Sequence, residues 1–150
     1  MTSLPTLGQA SYSPMTMHFT TENVSTMKAT TKPLQGAKVL VAEDDPILAF
    51  EIMRELMEAG ADVVGPALSV ARALELAEQE NLSCGVLDVR LRDGLVFAAA
   101  EVLRKKGVGI VFHTGQIDIE ELKRDWPAGK VLRKPTRSSE ITKAVAEMCR

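Results

Sequence analysis

The sequence predicts an α/β protein built on a doubly wound, five-stranded parallel sheet with helices on both faces. The first supporting observation is a repeat, because from Ala37 onward short apolar runs alternate five times with helical patterns. The second supporting observation concerns the third apolar run, Gly85-Val86-Leu87, whose composition suits a strand that is buried on both faces. Parallel strands need crossover helices, and short right-handed crossovers favour the strand order 2-1-3-4-5.

The first two strand–helix units have clear boundaries. The run Lys38–Ala42 predicts a buried strand, and Pro46 suits the first turn of the helix that follows. Residues 62–65 predict a short second strand, and Ser69 is expected to cap a helix over Val70–Gln79. The predicted core-facing residues are Leu48, Ile52, Leu56 and Ala59 in the first helix and Val70, Ala73, Leu74 and Ala77 in the second.

The third unit contains the central strand. Residues 84–89 predict this strand, and Asp93 or Gly94 is expected to start the third helix, which ends at Gly107 after three basic residues. A fourth strand is predicted over residues 108–113. The third helix should face the core with Val96, Ala99, Ala100 and Leu103.

The last two helices differ in how clearly the sequence pattern predicts them. Residues 117–126 predict a short acidic helix, the weakest of the five, which ends before Pro127. The fifth strand is predicted at Lys130–Arg133, and Ser138 or Ser139 should open the final helix. The core side of that helix is predicted to carry Ile141, Val145 and Met148.

Residues 1–36 differ in composition from the rest of the chain. They are rich in Thr and Ser with almost no periodicity, and such segments rarely bury enough apolar surface to fold alone. We therefore predict a disordered or loosely packed extension before a folded domain at residues 37–150. Two alternatives stay open: translation begins at Met27, or the tail packs on the domain through Tyr12 or Phe19.

Composition argues against several classes of function. A formal net charge of -2 gives no electrostatic reason to bind nucleic acid or a membrane surface. No apolar run approaches the roughly 20 residues of a membrane span, and the N-terminus lacks the features of a secretory signal. The two cysteines, Cys84 and Cys149, form no zinc-binding spacing. We expect a reduced, cytoplasmic protein.

Polar side chains follow four of the predicted strands at the point where each strand ends. Glu43 and Asp44 follow the first strand, Asp88 the third, Thr114 the fourth and Lys134 the fifth. In the order 2-1-3-4-5 these four strands are neighbours, so their carboxyl ends meet where open α/β sheets bind ligands. Crowded carboxylates raise one another's pKa unless a cation intervenes. Mg²⁺ is the predicted cation, since it takes one or two carboxylates and keeps several waters.

The interpretation that follows is phosphoryl transfer. Asp88 is the candidate nucleophile, since Asp carboxylates form aspartyl-phosphate intermediates. Thr114 can donate its hydroxyl to a phosphoryl oxygen, and Lys134 can pair with another. Each signal alone is weak, because polar residues after a strand commonly belong to a solvated turn. Asp45 is more typical of a helix N-terminal charge than of a ligand, and His113 of a packed residue than of a catalyst.

Four motifs at these positions resemble the receiver domain of two-component response regulators. They are KVLVAEDD for the acidic pair, GVLDVRL for the phosphoacceptor, VFHTG for the hydroxyl and VLRKP for the lysine. The likeness covers about residues 37–150 and implies the flavodoxin-like form of the predicted fold. It also implies a cis bond between Lys134 and Pro135, which aims the lysine inward.

The resemblance assigns a role to each site residue. It implies a phosphorylated aspartate held beside Mg²⁺, with a hydroxyl and an ammonium on the phosphoryl group. The assignments are Asp88 as phosphoacceptor and metal ligand, Glu43, Asp44 and the backbone carbonyl of Arg90 as further metal ligands, and Thr114 and Lys134 as phosphoryl contacts.

Three positions depart from the pattern of the family. Val131 stands where the family carries an aromatic switch on the fifth strand, so the usual Thr–aromatic route of signalling is not expected. VFHTG is similar to a subgroup with a Thr-Gly signature after strand four, although Gln116 replaces the apolar residue expected next. Arg90 and Gln116 lie two residues past Asp88 and Thr114, at positions that tune the lifetime of the phosphoryl group.

These expectations together predict a stand-alone response regulator. It would take phosphate from a phosphohistidine on a sensor histidine kinase or a histidine phosphotransfer protein, and then bind a partner or pass the phosphate on. It would catalyse only its own phosphorylation and dephosphorylation and would not be a dedicated enzyme. The predicted output surface comprises Ile119, Leu122, Trp126, Val131 and Arg137, with the core as the alternative place for Trp126.

Two other functions stay open. A phosphorylation-independent interaction module would keep the fold without the switch; Val131 and the weak fourth helix favour it, and the complete set of site residues argues against it. A hydrolase with a catalytic Asp on a similar sheet ranks last. Such enzymes usually carry a second carboxylate two residues after the nucleophile, where this sequence has Arg90.

Overall fold

The computed structural model describes residues 31–115 and 117–149. Backbone contacts divide the chain into Met1–Thr31 and Lys32–Arg150, and the description below concerns the second unit. The predicted disorder over residues 1–30 of the N-terminal extension and the alternatives at Met27, Tyr12 and Phe19 fall outside the described residues.

Strands and helices alternate along the described part of the chain. The strands are β1 (Lys38–Ala42), β2 (Asp62–Ala67), β3 (Cys84–Leu87), β4 (Arg90–Leu91), β5 (Gly94–Leu95), β6 (Gly109–Thr114) and β7 (Lys130–Arg133). The helices are α1 (Pro46–Glu58), α2 (Val70–Gln79), α3 (Phe97–Lys105), α4 (Ile119–Asp125) and α5 (Ser138–Met148). None of the described helices combines the length and hydrophobicity of a membrane span.

Five strands form one parallel sheet in the order β2-β1-β3-β6-β7, which confirms the predicted topology. At its centre, Val86 of β3 pairs with Val41 of β1 on one side and Val111 of β6 on the other. All four residues of β3 are buried, as expected for a strand covered on both faces. The carboxyl ends of β1, β3, β6 and β7 therefore lie side by side.

An apolar cluster covers each face of the sheet. Phe112 of β6 packs with Leu76 and Leu103 on the face that α2, α3 and α4 cover. Val111, the preceding residue, packs with Leu56 and Ile141 on the face that α1 and α5 cover. Successive strand residues point to opposite faces, so one strand supplies both clusters. Each large side chain buried in this way contributes about 1.5–3 kcal/mol relative to an exposed one.

The folded domain begins earlier than the predicted boundary at residues 36/37. Leu34 is buried in the cluster under α1 and α5, and its N–H donates to the carbonyl oxygen of Ala59 at 2.8 Å. A single apolar residue in a polar stretch has no periodicity, which is why the sequence pattern misses it.

The first two helices begin as predicted. The Asp45 carboxylate accepts the N–H groups of Ile47 and Leu48, so Asp45 is the N-cap of α1. The Ser69 hydroxyl accepts the N–H of Arg72 at 3.1 Å and caps α2. Four of the eight predicted core residues are buried, namely Ile52, Leu56, Ala73 and Ala77, whereas Leu48, Ala59, Val70 and Leu74 are only half-buried.

The predicted start of the third helix at Asp93 or Gly94 is wrong. α3 begins at Phe97, because β4 and β5 first form an antiparallel hairpin in which Gly94 has a positive φ of 137°. The Asp93 carboxylate accepts the N–H groups of Val70 at 2.5 Å and Ala71 at 3.2 Å. Asp93 therefore caps α2 across the loop, and these bonds lower its pKa.

The remaining elements match the prediction closely. β7 has the predicted bounds, and α4 lies inside the predicted range 117–126. α5 begins at Ser138 and buries Ile141 and Val145, while Met148 is half-buried.

Candidate functional site

Three carboxylates meet at the carboxyl edge of the sheet. Glu43 and Asp44 directly follow β1, and Asp88 directly follows β3. The N–H of Asp88 donates to the carbonyl oxygen of Ala42 at 2.9 Å, which holds the two strand ends together. One carboxylate oxygen from each acid lies within 4.8 Å of the others. Glu43 and Asp88 are buried and Asp44 is half-buried.

Lys134 joins two of these acids. Its Nζ donates to Glu43 Oε1 at 2.8 Å and to Asp88 Oδ2 at 2.8 Å. The backbone places it there, because the Lys134 N–H donates to the Thr114 carbonyl oxygen at 2.9 Å just beyond the β6–β7 pairing. The Lys134–Pro135 bond is cis, as the sequence resemblance implies.

Burial and ion pairing act in opposite directions on the pKa values of Glu43 and Lys134. Burial raises the pKa of the Glu43 carboxyl, against the hydrogen bonds from Lys134 and from the Asp45 N–H. Burial lowers the pKa of Lys134, but its hydrogen bonds to Asp88 and Glu43 outweigh that effect and raise it above the ordinary value. Lys134 is therefore a firmly charged ammonium between two acids.

A cavity of about 460 Å³ opens at this cluster. Thr114, the last residue of β6, is buried and lines the cavity with Asp44, Asp88 and Lys134. Arg90 also lines it; the side chain is exposed and the Arg90 N–H donates to Asp88 Oδ1 at 3.4 Å. The structure thus brings together Glu43, Asp44, Asp88, Arg90, Thr114 and Lys134, the residues that the sequence predicts for the site. The predicted tuning residue Gln116 lies outside the described residues.

His113 is buried beside the site, as the packed-residue interpretation expects. Neither its Nδ1 nor its Nε2 has a hydrogen-bond partner among the described residues. Burial, aided by the positive charge of Lys134, lowers its pKa to about 4, while Asp88 acts in the opposite sense. His113 is therefore a neutral side chain at pH 7.

The predicted output surface needs a correction. Ile119, Leu122 and Trp126 are buried, so they cannot offer exposed side chains to a partner in this structure. Trp126 stacks on Phe97 with ring centroids 6.0 Å apart and packs in the cluster under α3 and α4, which is its alternative place in the core. Of the remaining predicted residues, Val131 is half-buried and Arg137 is exposed.

An exposed apolar stripe on α1 escaped the sequence analysis. Ile47, Phe50 and Met57 are 73%, 62% and 50% exposed. At about 100° per residue they lie within about 80° of one another around the helix, opposite Ile52 and Leu56. A helical wheel of α1 shows two apolar faces, and the second of these is the signal that could have identified the stripe. We call Ile47, Phe50 and Met57 the α1 apolar face.

Comparisons with known proteins agree with this geometry, although no family model matches the chain. The chain is 35% identical over 112 residues to the transcriptional regulatory protein PdtaR of Mycobacterium tuberculosis. That alignment covers 72% of this chain and 54% of the relative, so the chain spans about half the length of the curated relatives it matches.

Solved structures with the same fold include two receiver proteins. A response regulator receiver protein from Sinorhizobium medicae has a TM-score of 0.69 and 26% identity, over 77% of this chain and 96% of that chain. The receiver domain of the sensor histidine kinase PA1611 from Pseudomonas aeruginosa, which has a magnesium ion coordinated in its active-site cleft, has a TM-score of 0.64 and 22% identity. That match covers 76% of this chain and 98% of that receiver domain. The domain described above belongs to the receiver domains of two-component response regulators.

Proposed function

We propose that this domain accepts a phosphoryl group on Asp88 from a phosphohistidine, in a reaction that depends on Mg²⁺, and that phosphorylation switches its binding to a protein partner. One observation carries the proposal: the ammonium of Lys134 lies 2.8 Å from both Glu43 and Asp88, beside a cavity that Asp44 and Thr114 also line. Three carboxylates beside one ammonium leave an excess of negative charge, which a bound metal cation that also contacts the phosphoryl group can offset.

The donor set fits a hard dication. Glu43, Asp44 and Asp88 offer carboxylate oxygens within 4.8 Å of one another, and oxygen is the ligand atom that Mg²⁺ prefers. We assign the metal to these three residues and to the backbone carbonyl of Arg90. Bound Mg²⁺ would neutralise charge on the carboxylates and on the incoming phosphoryl oxygens.

The proposed chemistry is a direct transfer between the two side chains. A carboxylate oxygen of Asp88 attacks phosphorus; the new O–P bond forms as the P–N bond of the phosphohistidine breaks. The leaving imidazole keeps the electron pair of that bond and takes up a proton. Lys134, which contacts Asp88 Oδ2 before the reaction, would then pair with a phosphoryl oxygen, and the Thr114 hydroxyl would donate to another.

The nucleophile is tested with a small phosphoryl donor. The protein is incubated with acetyl phosphate and Mg²⁺, and its intact mass is measured. We expect one added phosphoryl group in the native protein, none in Asp88→Asn, and none when EDTA removes Mg²⁺. Asp45→Asn is the matched control, because Asp45 is a neighbouring acid that caps α1 and Asn caps helices equally well. Equal labelling of Asp88→Asn and Asp45→Asn would contradict the role of Asp88.

We further propose that the α1 apolar face contacts the protein that carries the phosphohistidine. A donor that reaches Asp88 must cover the surface around the site, and α1 begins at Pro46, two residues after the site acid Asp44. Large apolar side chains that are exposed together mark interaction surfaces. The face would supply apolar contact beside the charged site.

The donor surface is tested by comparing two phosphoryl donors. Phe50→Ser should slow transfer from a phosphorylated histidine phosphotransfer protein by about tenfold, the effect of losing a moderate interface contact. Its rate with phosphoramidate, a small donor that also has a P–N bond, should stay unchanged. An equal loss with both donors would place the defect in the site and refute a docking role.

The switch is tested with beryllofluoride, a phosphoryl mimic. Addition of beryllofluoride and Mg²⁺ should shift amide resonances around Asp88 and also in α4 and β7. Shifts confined to the site would favour an acceptor that only stores or relays phosphate. No response at Asp88 would support the phosphorylation-independent module instead.

A further inference from the structure

The two cysteines of the chain meet at the amino edge of the sheet, far from the phosphoacceptor. Cys84 is the first residue of β3 and is buried, whereas Cys149 directly follows α5 and is half-buried. About 65 residues separate them in sequence. Both belong to the apolar cluster on the face that α1 and α5 cover.

A glycine brings the end of α5 close to Cys84. Gly109 of β6 pairs in register with Cys84 of β3. A Cβ at Gly109 would lie 2.5 Å from the carbonyl oxygen of Met148 and 3.0 Å from its carbonyl carbon, so the α5 backbone rests directly on this strand. Neighbouring strands are about 4.8 Å apart, so the residue after Met148 lies within reach of the strand that starts with Cys84.

The two thiols lie close enough for each to shift the pKa of the other. The Cys84 thiol hydrogen-bonds the sulfur of Cys149, and this bond lowers the pKa of Cys149 against the opposing effect of burial. The same bond, together with burial, raises the pKa of Cys84. Cys84 Sγ also lies 3.8 Å from the carbonyl oxygen of Gly85. Cys149 is therefore the thiol of the pair that more readily becomes a thiolate.

Cys149 is also the thiol that small molecules can reach. It lines a surface cavity of about 320 Å³ together with Ser83, Ala146 and the backbone around Gly36. Cys84 is fully buried at the start of β3. A half-buried thiol that lines a surface cavity, next to a buried second thiol, is the arrangement of a reversible oxidation site with a resolving cysteine.

We propose that Cys149 and Cys84 form a reversible disulfide when the protein meets a hydroperoxide. The thiolate of Cys149 attacks the peroxide O–O bond and becomes a sulfenic acid, and hydrogen peroxide is reduced to water. The Cys84 thiol then attacks the Cys149 sulfur; the S–S bond forms, the S–O bond breaks, and the hydroxyl leaves as water with the Cys84 proton. A thiol such as glutathione reverses the step by exchange.

The disulfide would tie the end of α5 to the start of β3, at the opposite edge of the sheet from Asp88. It would close a loop of about 65 residues and stabilise the folded state by restricting the unfolded chain. The site residues contact neither sulfur, so we expect the oxidised protein to keep its phosphoacceptor. The proposal is therefore independent of the proposed phosphoryl transfer.

The test uses the whole 150-residue chain and hydrogen peroxide. After a short treatment and removal of the oxidant, the protein is unfolded and alkylated with iodoacetamide, and its intact mass is measured. We expect both thiols to be lost together in a monomer that is two hydrogens lighter, to return with dithiothreitol, and to bring a rise of several degrees in Tm. Cys149→Ser, a change at a half-buried position, should leave the thiol of Cys84 fully alkylatable.

Two results would overturn the proposal. One is a native protein in which Cys149 accumulates as sulfenic or sulfinic acid, trapped by dimedone or seen as added oxygen, while Cys84 stays alkylatable. The other is a disulfide that forms only between two chains, visible as a dimer on a non-reducing gel. Neither outcome depends on phosphorylation, so the two proposals fail separately.

Discussion

Replacing Lys134 with Met should destabilise the protein and at the same time tighten its binding of Mg²⁺. The side chain of Glu43 is 2% exposed and that of Asp88 is 9% exposed, and both accept hydrogen bonds from the Lys134 ammonium. Met keeps most of the aliphatic length of the lysine, so the change removes the charge and little of the packing. Two buried carboxylates then face each other and Asp44 without a protein cation.

The size of the effect follows from burial. Removing one partner of a fully buried ion pair costs about 3–5 kcal/mol. Lys134 is 25% exposed, so water in the cavity can hydrate the freed carboxylates in part. We therefore expect a loss of about 2–3 kcal/mol in the free energy of unfolding at pH 7 without metal.

The loss should depend on pH in a definite direction. Burial already raises the pKa of Glu43 above its ordinary value of 4.5, and loss of the Lys134 hydrogen bond removes an effect that lowers it. A carboxyl whose pKa is higher in the folded state than in the unfolded state stabilises the fold when it is protonated. The deficit of Lys134→Met should therefore be largest at neutral pH and should shrink as the pH falls toward 5.

Urea unfolding at several pH values, with and without Mg²⁺, measures all three effects. Mg²⁺ should restore more stability in Lys134→Met than in the native protein, because it replaces the missing positive charge and binds more tightly. Arg133→Met is the matched control, since Arg133 is an exposed cation on the preceding residue and should cost less than about 0.5 kcal/mol. If the two variants had the same stability and the same Mg²⁺ affinity, Lys134 could not be the charge that compensates Glu43 and Asp88.

Three further predictions concern groups outside the phosphoryl contacts. The pKa of His113 is lowered to about 4, so between pH 6.5 and pH 4 the unfolded chain binds a proton that the folded protein does not bind. The free energy of unfolding should therefore fall by up to about 3 kcal/mol as the pH drops to 4. In urea unfolding, His113→Leu should abolish this contribution to the pH dependence of stability. Asp93→Ala should lower the urea midpoint by exposing the α2 N-terminus, and since its carboxyl has a lowered pKa, the native protein should approach the variant as the pH falls through that pKa. Gly109→Ala should lower the free energy of unfolding by about 1–3 kcal/mol, because the added methyl group would collide with the Met148 backbone. Hydrogen exchange in α5 should then accelerate, and unchanged exchange there would show that α5 can shift without cost.

The topology and the site could be predicted because each step has a local signal. Val86 and Leu87 lie in an uninterrupted apolar run, and Asp88 breaks it at the strand end. The rules for parallel crossovers then supply the strand order, and the order places Lys134 beside Asp88 although 46 residues separate them. No long-range information is needed for this part of the structure.

The hairpin before α3 could not be predicted in the same way. β4 and β5 have two residues each, which is too short for an alternating pattern. Asp93 next to Gly94 has the local chemistry of a helix start, but its carboxylate caps a helix whose first residue, Val70, is 23 positions earlier. Capping partners that are distant in sequence override the local preference.

The exposure of apolar helix residues is the other part that sequence patterns leave open. Leu122 lies in the seven-residue helix α4 and Trp126, four residues later, is its C-cap, a spacing that suits a core face and a binding surface equally well. They are buried, whereas Ile47 and Phe50 on α1 are exposed. Which of two apolar faces is covered depends on how many neighbours surround the helix, and only the tertiary structure decides this.

The position of Trp126 makes its fluorescence an intrinsic probe of the end of α4. It is the single tryptophan of the chain, and it packs edge-on against Phe112, two residues before Thr114, with the guanidinium of Arg104 4.1 Å from the centre of its ring. Its emission therefore comes from one known position, the end of α4, where it is shielded from water. If binding at the acidic cluster loosens α4, this emission should move to longer wavelength, and the binding can then be followed without a chemical label.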